Sequence, residues 1–315
     1  MTHHRMSLAQ VALSSTHLLR TNDWYCKALG FVPAGSRRHR EVPGRGLVSG
    51  LPEASLDVWC LMGGLDWMQF EVMEFEKPRM RQLPSDWVPS DIGYSTVGIV
   101  VSDFDAVVRR IRSTSGRFIS VPVGVHGQRR LCLRDPDGVL LEIREHDFPT
   151  LPTSAVSHPE QPLIRFVTAS VHDLDDARRF WVEGLGLNEV PITLHDSADE
   201  ELWGFRDTNR KSAVIDAGAG FIELVQYLSP PARWRPSGYL FSDQGILNVA
   251  LGSADEGTFF HTYERALDAG YRSNSEPLRE GEVLVVYLND GSGNSVELLC
   301  VPPPAMEKMG FVRSM

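Results

Sequence analysis

The chain repeats itself four times, and this restricts its fold more than any other feature of the sequence. Each copy opens with a short apolar strand, passes through polar residues into an amphipathic helix and stops at a glycine. The first copy begins at Gln10, reaches its turn at His17 and ends at Gly30; the second begins at Thr96, turns at Asp103 and ends at Gly116. The third begins at Phe166, turns at Asp173 and ends at Gly186; the fourth begins at Asn248, turns at Asp255 and ends at Gly270. Asp103, Asp173 and Asp255 stand where a helix N-cap belongs, because a side-chain oxygen there accepts from an N–H that has no partner within the helix. His17 holds that place in the first copy. The closing glycines suit a left-handed residue just past the last turn.

Each copy also closes with a strand that carries one glutamate among mostly apolar residues: Glu71, Glu142, Glu223 and Glu297. Turn sequences precede two of them, Asp135-Pro-Asp-Gly138 and Asn289-Asp-Gly-Ser-Gly-Asn294. Between helix and closing strand there is room for two more strands, with residues 121–125, 130–134 and 283–288 as candidates. A copy thus reads βαβββ, and the whole chain α+β. A Pro-rich connector, residues 77–91, separates copies one and two. Residues 149–162 hold four prolines and little apolar pattern, which marks a domain linker. Two paired-module domains are therefore predicted, residues 1–150 and residues 151–315, and 315 residues is a length that suits two domains.

With 42% hydrophobic residues the chain can build a substantial core. It carries 31 Lys and Arg against 41 Asp and Glu, a formal net charge of −10, and has no long basic run, so nucleic acid is not expected as a partner. No run of about 18 apolar residues predicts a membrane-spanning helix, and the stretch from Arg5 to Ser15 is too short and polar to read as a leader. Cys26, Cys60, Cys132 and Cys300 are scattered with no CxxC, which fits small buried side chains in a reducing, cytoplasmic setting. Nucleotide-binding, serine-hydrolase and zincin motifs are absent from the sequence.

The four openings, the Asp135–Glu142 and Asn289–Glu297 segments and the closing glutamates together resemble the vicinal oxygen chelate superfamily. That group includes glyoxalase I, extradiol dioxygenases, methylmalonyl-CoA epimerase and the bleomycin-resistance proteins. The resemblance implies modules paired so that each pair curls its strands into a cup around a ligand, with helices outside, in a layout most like the two-domain extradiol dioxygenases. It also implies a metal at the cup floor in the metal-dependent members, held by the first residue of each opening strand and the glutamate of a closing strand. Carried onto this chain, the opening positions are Gln10, Thr96, Phe166 and Asn248, and none is histidine.

Ring cleavage is disfavoured, because the facial iron site would fall on Phe166, Asn248 and Glu297, and a phenyl ring offers iron no lone pair. In the N-terminal half, Gln10, Glu71 and Glu142 are oxygen donors, and a divalent metal on these three is the alternative to a metal-free floor. Strand alternation puts Arg144 and His146 on the side of Glu142, where a guanidinium compensates the carboxylate without metal. A salt-bridged floor with no cofactor is the preferred reading.

Alternation also predicts the cup linings. Ala12, Ser14, Gly98, Val100, Gln69 and Met73 fall in the N-terminal half; Thr168, Ser170, Ala250, Gly252, Phe221, Val225, Tyr227 and Leu299 fall in the C-terminal half. The expectation is an enzyme of lyase or isomerase type acting on a hydrophobic carbonyl-bearing or aromatic small molecule. Glu71, Glu142 and Arg144 would be catalytic. Gln10, Thr96, Ser14, Gln69, Met73, His146, Thr168, Asn248 and Glu297 would bind substrate. A non-catalytic binding or resistance protein and a divergent metal-dependent enzyme are the alternatives; a homodimer is left open, and no membrane partner is expected.

Overall fold

The structure is a computed structural model that describes residues 5–39, 45–114, 116–148 and 156–311. The four copies appear as four βαβββ modules. In the first, β1 (Ser7–Ser14) leads through α1 (Leu18–Trp24), a π-helical turn at Tyr25–Leu29, β2 (Val32–His39) and α2 (Arg45–Val48) to β3 (Ser55–Met62) and β4 (Gln69–Lys77). The second holds β5 (Gly93–Val100), α3 (Phe104–Arg112), β6 (Arg117–Phe118), β7 (Arg130–Arg134) and β8 (Leu140–Arg144). In the third, β9 (Leu163–Ser170), α4 (Leu174–Arg178), a π-helical turn at Arg179–Gly184 and β10 (Asn188–Val190) precede β11 (Asn209–Asp216) and β12 (Phe221–Ser229). The fourth comprises β13 (Gly245–Ser253), α5 (Glu256–Asp268), β14 (Leu278–Glu280), β15 (Val283–Asn289) and β16 (Ser295–Cys300).

The predicted caps are present: Asp103 accepts from the Ala106 N–H, Asp173 from Asp175 and Asp176, and Asp255 from Thr258, while His17 Nδ1 accepts from Arg20 at 3.3 Å. Gly30, Gly186 and Gly270 are left-handed, with φ of 94°, 74° and 93°. Gly116 is not, because α3 already ends at Arg112, with Ser113 as its C-cap. Residues 121–125 form no strand; Val123 makes a single bridge to Arg130, and the short β6 takes the edge instead. Pro122 carries no N–H for a ladder, which fits this outcome.

Two eight-stranded sheets result, ordered β14-β15-β16-β13-β1-β4-β3-β2 and β10-β11-β12-β9-β5-β8-β7-β6. Opening and closing strands of one module pair in parallel, while opening strands of two different modules pair antiparallel at the centre of each sheet. This corrects the predicted division at residue 150: the first sheet joins modules one and four, and the second joins modules two and three. Four opening strands of similar pattern leave the choice of partner open in the sequence, and long-range ladders such as Val11 opposite Val249 make it. Residues 149–155 of the expected linker lie outside the described residues. The connectors that cross between sheets are 78–92 and 230–244.

Modules one and two, predicted to pair, do meet, through helices and turns. Arg110 Nε donates to the Ala28 carbonyl at 3.1 Å, joining α3 to the end of the first module's helix. Asp137 accepts from the Ser15 and Thr16 hydroxyls, both at 2.7 Å. Burial alone would raise the Asp137 carboxyl, but hydrogen bonds from Thr21, Thr16 and Ser15 outweigh it and hold the carboxyl below its ordinary value. One apolar cluster gathers the sheet faces opposite the cups, with Val11, Val97, Val167 and Val249, and the helix residues Trp24, Phe104, Trp181 and Phe259. No helix among the described residues is long and apolar enough to cross a membrane.

Candidate active site

At the floor of the first sheet, Ala12 on β1 lies opposite Asn248 on β13, and Gln10 opposite Ala250. Ala12 also faces Glu71 on β4, and Ala250 faces Glu297 on β16. Register therefore builds two rows on one face, Glu71-Ala12-Asn248 and Gln10-Ala250-Glu297. The central methyl groups leave space between the outer carboxylates. All four polar side chains are buried, Glu71 and Glu297 each 5% exposed.

The Tyr287 hydroxyl donates to Glu297 Oε2 at 2.9 Å, and Asn248 Nδ2 donates to the same oxygen at 3.3 Å. Among the described residues, Gln10 Nε2 and Asn248 Oδ1 have no hydrogen-bond partner. A buried polar atom left unpaired costs about 1–3 kcal/mol, so two of them in one cup point to an occupant. Apolar side chains, among them Val58, Met73, Phe75, Phe241 and Leu299, wall the cup and leave a cavity of about 50 Å³. That space takes an ion with water, or the reacting end of a small molecule.

The second sheet holds the other two closing glutamates, and its cup is filled. His195 lies between them, with Nε2 3.1 Å from Glu142 Oε2 and Nδ1 2.7 Å from Glu223 Oε2. Arg144 and the Trp203 indole each donate to Glu142 at 2.9 Å. Arg210 bridges Glu223 at 2.6 Å and Glu200 at 2.5 Å, and Thr168 donates to Glu223 at 3.0 Å. His195, Glu142 and Glu223 have no exposed side-chain surface. Burial pushes the imidazole down, but Glu223 and Glu142 outweigh it and raise His195 to about 9. Both glutamates are held at about 2, because the His195 charge and neighbouring guanidinium groups overcome the burial that would raise them. Phe166 occupies the remaining floor above Gly98, where a Cβ would stand 1.8 Å from its ring.

The predicted site residues thus divide. Gln10, Glu71, Gln69, Met73, Asn248 and Glu297 come together in the first cup, across the two predicted halves. Ser14 is engaged with the Ser242 carbonyl at 2.8 Å, and Gln69 with that of Met309 at 3.3 Å. Glu142, Arg144, Thr96 and Thr168 belong to the second cup, and His146 is exposed. The metal set Gln10, Glu71 and Glu142 does not assemble, since Glu142 is in the other sheet; nor does the set Phe166, Asn248 and Glu297. The Glu142–Arg144 pair is present as alternation predicts. His195, Glu200 and Trp203 come from the β10–β11 connection, whose one short 3-10 turn (Asp199–Trp203) is too brief to show a period in sequence, and Tyr287 reads in sequence only as one apolar position of β15.

Known proteins share this architecture. Glyoxalase I from Zea mays matches with a TM-score of 0.64 and 16% identity, over 94% of this chain and 92% of its own. A putative dioxygenase from Bacillus subtilis subsp. subtilis str. 168 matches with a TM-score of 0.66 and 13% identity, over 99% of this chain and 91% of its own. At these identities the likeness is one of fold. No curated protein matches the chain. Residues 7–143 match the Glyoxalase/Bleomycin resistance protein/Dioxygenase superfamily, the vicinal oxygen chelate group that the fourfold repeat resembles.

Proposed function

We propose that the first cup is the active site of an enzyme of lyase or isomerase type. It moves a proton on the carbon beside a carbonyl of a hydrophobic or aromatic small molecule. The observation that carries this reading is the pair of carboxylates, Glu71 and Glu297, set on the floor of an apolar cup beside unpaired carboxamide atoms. Glu71 accepts the proton from carbon, Gln10 Nε2 donates to the carbonyl oxygen as it gains charge, and Glu297, oriented by Tyr287, faces the other side of the reacting centre. Apolar walls exclude water and hold the rest of the substrate. The four cysteines are free thiols, which supports a cytoplasmic setting.

The test is hydrogen exchange. Aromatic keto acids such as phenylpyruvate are incubated with the protein in D₂O, and NMR follows the hydrogens next to the carbonyl. The reading expects saturable exchange above the buffer rate, lowered about 100-fold or more by Glu71→Gln. Exchange at the buffer rate for every compound, with saturable thermal shifts, would instead assign the chain to non-catalytic binding.

A second reading rests on the unpaired Asn248 oxygen. Gln10, Glu71, Asn248 and Glu297 form an all-oxygen donor set that fits a hard divalent cation better than zinc. Bound there, such an ion would supply Lewis-acid polarisation of the substrate oxygen. Metal content of protein purified without chelator, compared between wild type and Glu297→Gln, decides between the two readings.

A further inference from the structure

A larger cavity, about 450 Å³, lies away from both cup floors, between the two connectors that cross from sheet to sheet. Its size is that of a small-molecule site. Trp87, Tyr94, Trp234, Leu83 and Ile246 supply aromatic and aliphatic wall. Trp234 is 57% exposed and stacks on His172 with centroids 4.8 Å apart, which leaves indole surface open to solvent at a concave site.

Three arginines line the same cavity, and they are not equivalent. Arg81 is committed to Asp243, and Arg233 to Asp86 and Asp91. Arg235 donates instead to the Ser292 and Gly293 carbonyls at 3.1 and 2.8 Å and to Asn294 Oδ1 at 2.7 Å. Among the described residues no carboxylate lies within salt-bridge distance of Arg235, so its positive charge is held in place by neutral acceptors. A rigid cation beside aromatic walls complements a flat anion.

We propose that this inter-connector cavity is a second ligand site, which takes a planar aromatic carboxylate. Its ring lies among the tryptophans and its carboxylate meets Arg235. The segment 239–246 separates the two sites, since Tyr239 and Ile246 line this cavity while Phe241 lines the first cup. The proposal does not depend on the chemistry assigned to that cup.

Calorimetric titration of the full chain with 2-naphthoate, and with neutral 2-naphthamide, tests it. One equivalent of naphthoate is expected to bind at least tenfold more tightly than the amide. Trp234→Ala and Arg235→Gln should each weaken naphthoate about tenfold, with the melting point of Trp234→Ala unchanged because the ring is mostly exposed. Glu71→Gln should bind as wild type does. Absence of binding, equal affinity for the amide, indifference to Trp234→Ala, or loss of binding in Glu71→Gln would each overturn the proposal, the last by placing the ligand in the first cup.

Discussion

His195 Nδ1 lies 2.7 Å from Glu223 Oε2 in a cup where neither side chain reaches solvent. A buried carboxylate needs a counter-charge or several donors, and here the chain supplies the charge itself, from a connection folded over the sheet. The first cup has the same strand plan, and there two neutral groups, the Tyr287 hydroxyl and the Asn248 carboxamide, donate to Glu297. The modules have thus been put to two uses: one cup is a packed ionic core, and the other keeps polar atoms in reserve.

Replacing His195 tests the packed cup. His195→Ala leaves Glu142 and Glu223 facing each other without the imidazolium, and is expected to cost about 3–5 kcal/mol in urea unfolding. A loss below about 1 kcal/mol would show that the arginines alone balance the cluster.

The same group predicts a pH window. His195 is raised from its ordinary 6.5 to about 9, so its contribution is complete below about 6.5 and disappears as pH rises through about 9. Glu142 and Glu223 are lowered from 4.5 to about 2, so theirs is complete above 4.5 and disappears as pH falls through about 2. The stability difference between wild type and His195→Gln should therefore shrink between pH 6.5 and 9. A difference that stays constant across that range would contradict the charged imidazole.

Gly98 is required by its neighbour. A methyl there would overlap the Phe166 ring, so Gly98→Ala should destabilise by about 1–3 kcal/mol. Adding Phe166→Leu should recover part of that loss in thermal unfolding. An alanine variant as stable as wild type would mean the ring can move aside.

The two cups should separate in a paired comparison. Glu142→Gln should lower the melting point while leaving the exchange rate per folded molecule unchanged. Glu71→Gln should instead lower the exchange rate per folded molecule, because Glu71 stands on the floor of the other cup. Equal effects of both on exchange would return Glu142 to the catalytic role that sequence alone suggested for it.

Much of this protein was legible before its structure. Capping aspartates, terminal glycines and the period of each strand located most elements, because these signals act between residues a few positions apart. Alternation placed Gln10, Gln69, Glu71 and Met73 on one face, and paired Glu142 with Arg144. His195 was not legible, because its role depends on Glu142 and Glu223, far away in sequence and on different modules. Strand position marks Asn248 and Glu297 as binding residues, yet nothing local tells that they share a floor with Gln10 and Glu71.

Sequence by itself determined four like modules, each with one face to bury and one acid near its end. Which modules joined was decided only in three dimensions, through ladders such as Ala12 opposite Asn248 and Thr96 opposite Thr168. The physical reason is that a strand's pattern specifies which face is buried, while nearly identical opening strands compete for the same partners. Contacts between distant segments break that tie, and in doing so set which acids share a floor.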